Sequence, residues 1–128
     1  MSQPLPEPTD AELQVLRVLW RRGPSTVREV FDVLYQGTSV GYTTALKLLQ
    51  NLYAKGLVRR DEARRRHIYE AAAPEAETMT GVVKDLIDRA FDGRAAALAL
   101  RALGAGRASR EELAELKAMI RRLEDRAR

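Results

Sequence analysis

Residues 41–71 read GYTTALKLLQNLYAKGLVRRDEARRRHIYEA, and this stretch decides the fold. Ala45, Leu48, Leu49 and Leu52 recur at the three- and four-residue steps of one helical face. That spacing places Thr43, Lys47, Gln50 and Ala54 on the opposite face, with Thr44 and Leu46 on its flanks. Gly56 is a suitable helix-ending glycine. Beyond it, 57–61 and 67–71 are short β-type segments around Leu57, Val58, Ile68 and Tyr69. Between them, 62–66 form a hairpin tip with three consecutive arginines, Arg64, Arg65 and Arg66. A helix with short polar side chains beside a basic hairpin suits reading a DNA groove while gripping phosphates.

Working outward, two capped helices precede this stretch. Thr9 and Glu12 form one capping box, Thr26 and Glu29 a second. The first helix runs to about Arg22, with Leu13, Val15, Leu16, Leu19 and Trp20 on its apolar face, and Gly23-Pro24 stops it. The second runs to about Tyr35 and buries Val27, Val30, Phe31 and Leu34. Trp20 is expected in the core, and Arg17, Arg21 and Arg22 are expected as scaffold charges. Residues 1–8, with Pro4, Pro6 and Pro8, read as a disordered lead-in.

Three helices and then a basic hairpin is the winged helix-turn-helix order, here over 9–73. The third helix of that arrangement enters the major groove and the hairpin, or wing, lies along the backbone. Candidate base contacts are Thr43, Thr44, Lys47 and Gln50. Gln pairs with adenine, Lys with guanine, and a threonine methyl packs on thymine. Candidate phosphate contacts are Tyr42, Arg64, Arg65, Arg66 and His67, helped by backbone N–H groups at the helix start. Each of these alone is more often a solvated surface residue; their combination carries the reading.

Composition sets the outer bounds. The 128 residues suffice for one ordinary domain or two small ones. Aromatics make up only 5% against 45% hydrophobic, so the core must be Leu, Val, Ala and Ile, which favours packed helices. The net charge is +4 and the pI about 9.8. The excess leans forward: 11 Lys and Arg face 8 Asp and Glu over 1–73, against 11 and 10 over 74–128. There is no cysteine, which removes disulfides and thiolate metal sites, and His67 alone cannot build a histidine site. No metal and no cofactor are expected. No paired carboxylates, nucleophile–base set or phosphate-cradling loop suggests an enzyme. No apolar run approaches 18 residues and no signal segment opens the chain, so no membrane insertion and a cytoplasmic location are expected.

Pro74 opens a second region, 74–128. A helix over about 75–91 carries Met79, Val82, Val83, Leu86, Ile87 and Ala90 on one side and ends at Asp92-Gly93. An alanine- and leucine-rich helix over about 94–103 is expected to break at Gly104-Ala105-Gly106. Ser109 and Glu112 form a third capping box, opening a helix whose Leu113, Leu116, Ile120 and Leu123 make a pairing seam. These helices either pair between two copies or fold back on the winged domain. About 55 residues of helix bury little alone, so dimerisation is expected. Its candidate residues are Val83, Leu86, Ile87, Leu100, Leu103, Leu113, Leu116, Ile120 and Leu123. The fold class expected is mainly α with a small β-hairpin: a winged helix-turn-helix domain and a helical dimerisation region.

The segments PTDAELQVLRVLW, TVREV, YTTALKLLQNLYAKGLV and RRRHIYEA, with the later FDG and SREELAELKAMI, resemble the penicillinase and methicillin-resistance repressors, the BlaI/MecI/CopY family. The similarity spans about Pro8 to Leu123. It implies a homodimeric transcriptional repressor on dyad operators of double-stranded DNA, with C-terminal helices exchanged across the dimer. Thr44 matches a threonine at that place in the family and inherits the base-contact role, while Thr43 and Lys47 stand where members vary. The resemblance also implies a membrane sensor protease acting in the C-terminal half. The antibiotic-resistance branch is cut between Asn and Phe; here that place reads Leu100-Arg101-Ala102-Leu103, and neither residue matches. The copper-responsive branch uses a C-terminal cysteine motif, absent here. The competing reading is a winged-helix protein–protein interaction module with an oligomerisation tail. It would expose apolar groups on the third helix, where this chain is mostly polar.

Overall fold

A computed structural model describes residues 7–63 and 65–128. The chain forms α1 (Asp10–Arg22), β1 (Ser25–Thr26), α2 (Val27–Leu34), α3 (Tyr42–Ala54), β2 (Val58–Asp61), β3 (Ile68–Ala71), α4 (Glu75–Ala90), α5 (Ala95–Ala105) and α6 (Arg110–Arg126). Two compact units divide within α4, one ending at Asp85 and the other beginning at Leu86.

The capping boxes expected at Thr9, Thr26 and Ser109 all form. In each, the hydroxyl accepts from the N3 amide and the N3 glutamate accepts from the cap amide, so two orphan donors are satisfied at once. α3 ends on a different device. Leu57 N–H donates to the Leu52 carbonyl and Gly56 N–H to that of Tyr53, both at 3.0 Å, with Gly56 at φ +78°. This is the Schellman arrangement, whose left-handed residue is least strained as glycine.

The first unit is the winged helix-turn-helix. Val15, Leu16, Leu19, Val30, Ala45, Leu49, Leu52, Val58 and Tyr69 are all buried in one core shared by α1, α2, α3 and the sheet. The sheet is antiparallel in the order β1-β3-β2. Ser25 faces Tyr69 and Thr26 faces Ile68, while Arg60 faces Tyr69 and Asp61 faces Ile68. Sequence patterning gives no sign of β1, because two residues carry no period; pairing with β3 makes it a strand. Each wing strand begins one residue later than expected, at Val58 and Ile68, and ends where expected, at Asp61 and Ala71.

Trp20 is half-buried rather than a core centre, and its indole N–H donates to the Ala73 carbonyl at 2.9 Å. It thereby fastens the end of α1 to the chain just beyond β3. Of the proline-rich lead-in, Glu7 and Pro8 are described, and the Glu7 carbonyl accepts from Lys55 Nζ at 3.2 Å.

In the second unit α5 runs through Gly104 to Ala105, longer than expected. One glycine inside a helix costs about 1 kcal/mol and does not stop it. The stop comes at Gly106, which turns extended at φ −96° and ψ −176°. Neither α4, α5 nor α6 buries a single described residue. No helix among the described residues is long and apolar enough to cross a membrane.

Candidate nucleic-acid interface

α3 presents the polar face that its apolar stripe leaves free. Ala45, Leu49 and Leu52 are fully buried, while Thr43, Thr44, Lys47 and Gln50 are exposed. Thr43, Lys47 and Gln50 follow one another along the helix at steps of four and three residues, with Thr44 and Asn51 on the neighbouring flank. The helix start at Gly41 has no side-chain cap. Its amides are therefore not taken up by a side chain as those at Thr9 and Thr26 are, and this end of the helix keeps affinity for an anion.

Tyr42 is held at that helix start by an edge-on contact with Phe31, ring centroids 6.0 Å apart at 63°. The Arg28 guanidinium lies over the Phe31 ring, 5.5 Å from its centroid. Tyr42 and Arg28 line an open cleft of about 640 Å3 with Thr26, Leu46, Arg65, Arg66 and His67. The cleft joins the starts of α2 and α3 to the wing. Arg65, Arg66 and His67 are exposed in it, and His67 lies just outside β3. Arg64, expected beside them, lies outside the described residues.

Three of the expected phosphate contacts from the wing thus meet Tyr42 on one concave surface, contiguous through Tyr42 with the polar face of α3. Sequence reasoning missed Arg28. It sits in the first turn of a helix, where its neighbour Glu29 signals a cap rather than a binding face. Only the approach of the wing brings it into this cleft. Its side chain is largely exposed and its ion pair with Asp32, four residues on, spans 3.6 Å; such a surface pair is weak and leaves the cation available.

Other basic residues are differently engaged. Arg59 pairs with Glu70 across the hairpin at 3.3 Å. Arg22, at the end of α1, pairs with Glu29. The backbone N–H of Thr26, then Arg22, hold the Glu29 carboxyl below its ordinary value. No group of three or more His, Cys, Asp or Glu among the described residues is arranged to hold a metal ion.

The candidate self-association residues are spread over α4, α5 and α6. Val83 and Leu86 are exposed and Ile87 is half-buried. Leu100, Leu103, Leu113, Ile120 and Leu123 are exposed, Leu100 to 74%, and Leu116 is half-buried. Met119, at 52% exposure, belongs with the α6 seam and was missed because it falls between the leucine steps.

Comparison with known proteins gives a consistent picture. The family described as penicillinase repressor matches residues 8–122. A transcriptional regulator BlaI from Mycobacterium tuberculosis is 36% identical over 116 residues, covering 85% of this chain and 84% of the relative. The penicillinase repressor of Bacillus licheniformis is 25% identical over 112 residues, covering 88% of each. Among solved structures, monomeric Bacillus licheniformis BlaI bound to the blaP half-operator is similar at a TM-score of 0.49 and 26% identity, over 57% of this chain and 89% of that one.

Proposed function

The chain belongs to the penicillinase repressor family, and from that premise we propose that it works as a homodimer on a dyad DNA operator. It is a DNA-binding transcriptional repressor, not an enzyme. The observation that carries the finer reading is the junction of two surfaces at Tyr42: the polar face of α3 and the cationic cleft of the wing.

In this reading Lys47 and Gln50 meet base edges, with Thr44 and Thr43 alongside. Arg65, Arg66, His67 and Tyr42 take phosphates, and Arg64 is assigned with them from sequence. Residues 9–73 are the DNA-reading part and 74–128 the dimerisation part. The dimer is supported by α4, α5 and α6, in which no described residue is fully buried in a single copy although they carry aligned apolar side chains. Helices with unburied apolar stripes find their partner in another chain. Two copies then read two half-sites, so the operator is a pseudo-palindrome. The site of action is the cytoplasm, where bacterial-type operators are found. A sensor protease acting in the second half would meet Leu100-Arg101-Ala102-Leu103, all exposed on α5.

Selection of duplexes from a random-sequence pool tests this. Enrichment of an inverted repeat, bound by two chains, is the expected result. Enrichment of nothing, or of a single unpaired half-site bound by one chain, would overturn it.

A further inference from the structure

Arg60 sits in the most basic part of the wing, and by composition alone it counts as another phosphate contact. Its surroundings are different. Along β2, Val58 is buried, Arg59 exposed, Arg60 half-buried and Asp61 exposed. Alternate residues of a strand share a face, so Arg60 shares the inward face of Val58 while Arg59 points to solvent. The Arg60 side chain is only 20% exposed, against 67% for Arg59. Its guanidinium carbon lies 3.9 Å from the centroid of the Tyr53 ring on α3, and its Nε donates to Glu62 Oε1 at 2.7 Å. A cation stacked on one face and ion-paired at its edge has its donors turned inward to the protein.

Tyr53 follows Gln50 by one helical step of three residues on α3. The contact therefore joins the strand that carries the wing to the helix that carries the base-reading side chains. We propose that Arg60 is a positioning residue: stacked on Tyr53 and tied to Glu62, it sets the wing against α3 so that both meet DNA in one register. This rests on the DNA reading above and deepens it. A free wing would still attract phosphates, but it would not be aligned with Lys47 and Gln50 when they meet a base pair. Losing the clamp therefore weakens binding to the preferred duplex more than binding to any other. A direct phosphate contact behaves oppositely: its loss weakens all duplexes alike and lowers the salt slope by about one.

The experiment uses the full chain, a duplex that the wild type enriches from a random pool, and a scrambled duplex of the same length. Arg60→Met is expected to lower affinity for the enriched duplex about fivefold, to leave the scrambled duplex unaffected, and to keep the salt slope. Arg60→Lys keeps a cation over the ring and recovers part of the loss, and Tyr53→Phe keeps the ring and behaves as wild type. Tyr53→Leu combined with Arg60→Met loses no more than Arg60→Met alone, because the stacking on Tyr53 is already gone in that variant. Tyr53 is 42% exposed, so the Tyr53 variants keep the core. Independently of DNA, ring currents from Tyr53 shift the Arg60 side-chain protons upfield in the nuclear magnetic resonance spectrum, and Tyr53→Leu removes the shift.

Absence of that shift, equal losses on both duplexes, or a salt slope reduced by about one in Arg60→Met would each overturn the proposal. An upfield shift without any enriched duplex overturns the DNA reading and, with it, the role given to the clamp. An enriched duplex bound equally by wild type and Arg60→Met overturns the clamp alone.

Discussion

The Lys55 ammonium stands 2.5 Å from a carboxylate oxygen of Glu12, joining the C-terminal end of α3 to the first turn of α1. Glu12 is 2% exposed and Lys55 26%. The same Glu12 oxygen accepts the Thr9 amide at 2.8 Å, so one carboxylate closes the cap of α1 and anchors the reading helix. Burial raises the Glu12 carboxyl, but the Lys55 hydrogen bond and charge, with the Thr9 amide, outweigh it and hold the group below its ordinary 4.5.

A depressed carboxyl stabilises the fold in its charged form. Its contribution is complete above the unfolded value of 4.5 and is lost as pH falls through the lower folded value. Thermal unfolding followed from pH 7 downward should show stability falling below about 4.5. Glu12→Gln should cost about 2 kcal/mol at pH 7, because the carboxylate charge is lost and Lys55 loses its ion-pair partner. It should also flatten the acid limb; an unchanged acid limb in that variant would assign the pH dependence to other carboxylates.

Gly56 adopts φ +78°, and nothing lies within 4 Å of where a Cβ would stand. Gly56→Ala should therefore cost about 1 kcal/mol from backbone strain alone, without overpacking. Denaturant unfolding with an unchanged m-value and a lower midpoint checks it.

Lys47→Ala and Gln50→Ala should each weaken binding to a selected operator by about 1–3 kcal/mol, with a smaller effect on unrelated duplex. Both side chains are exposed on α3, so the thermal midpoint should hold. Equal losses on operator and unrelated DNA would remove them from base recognition.

Replacing Arg65 and Arg66 by Ala should weaken binding to all duplexes and reduce the slope of log affinity against log salt by about two. Including Arg28 should take the slope down by about one more, since it lines the same cleft. Titrations at several salt concentrations decide this, and an unchanged slope would exclude the cleft from the phosphate path.

Ile120 is 53% exposed and Leu116 half-buried on α6. Neither belongs to a core within one copy, so Leu116→Asp with Ile120→Asp should give folded monomers in sedimentation velocity. A dimer persisting in the double variant would move the interface away from α6.

Much of the architecture is local enough to be read along the chain. The Thr9, Thr26 and Ser109 boxes close over three residues, the Gly56 stop over five, and the α3 stripe over two turns. These are short-range matters of hydrogen-bond geometry and helical period, so neighbouring residues specify them. The exposed face of α3 followed from the same period. β1 did not, because two residues become a strand only when β3 arrives beside them. The end of α5 was misplaced for the opposite reason: Gly104 signals a break, but a helix continues past one glycine when its neighbours favour it.

The candidate site divides in the same way. Thr43, Lys47, Gln50, Arg65 and Arg66 stand out by residue type and spacing. Their assembly into one surface, with Arg28 added and Arg60 withdrawn onto Tyr53, depends on where the hairpin lands. Sequence by itself determined which segments become helices, where each begins, and which α3 side chains stay free, because those outcomes depend on contacts within a turn or two. Tertiary structure alone decided which arginines face the cleft and which is used up inside the protein. A guanidinium reaches whatever packing places near it, and residues distant in sequence supply those neighbours.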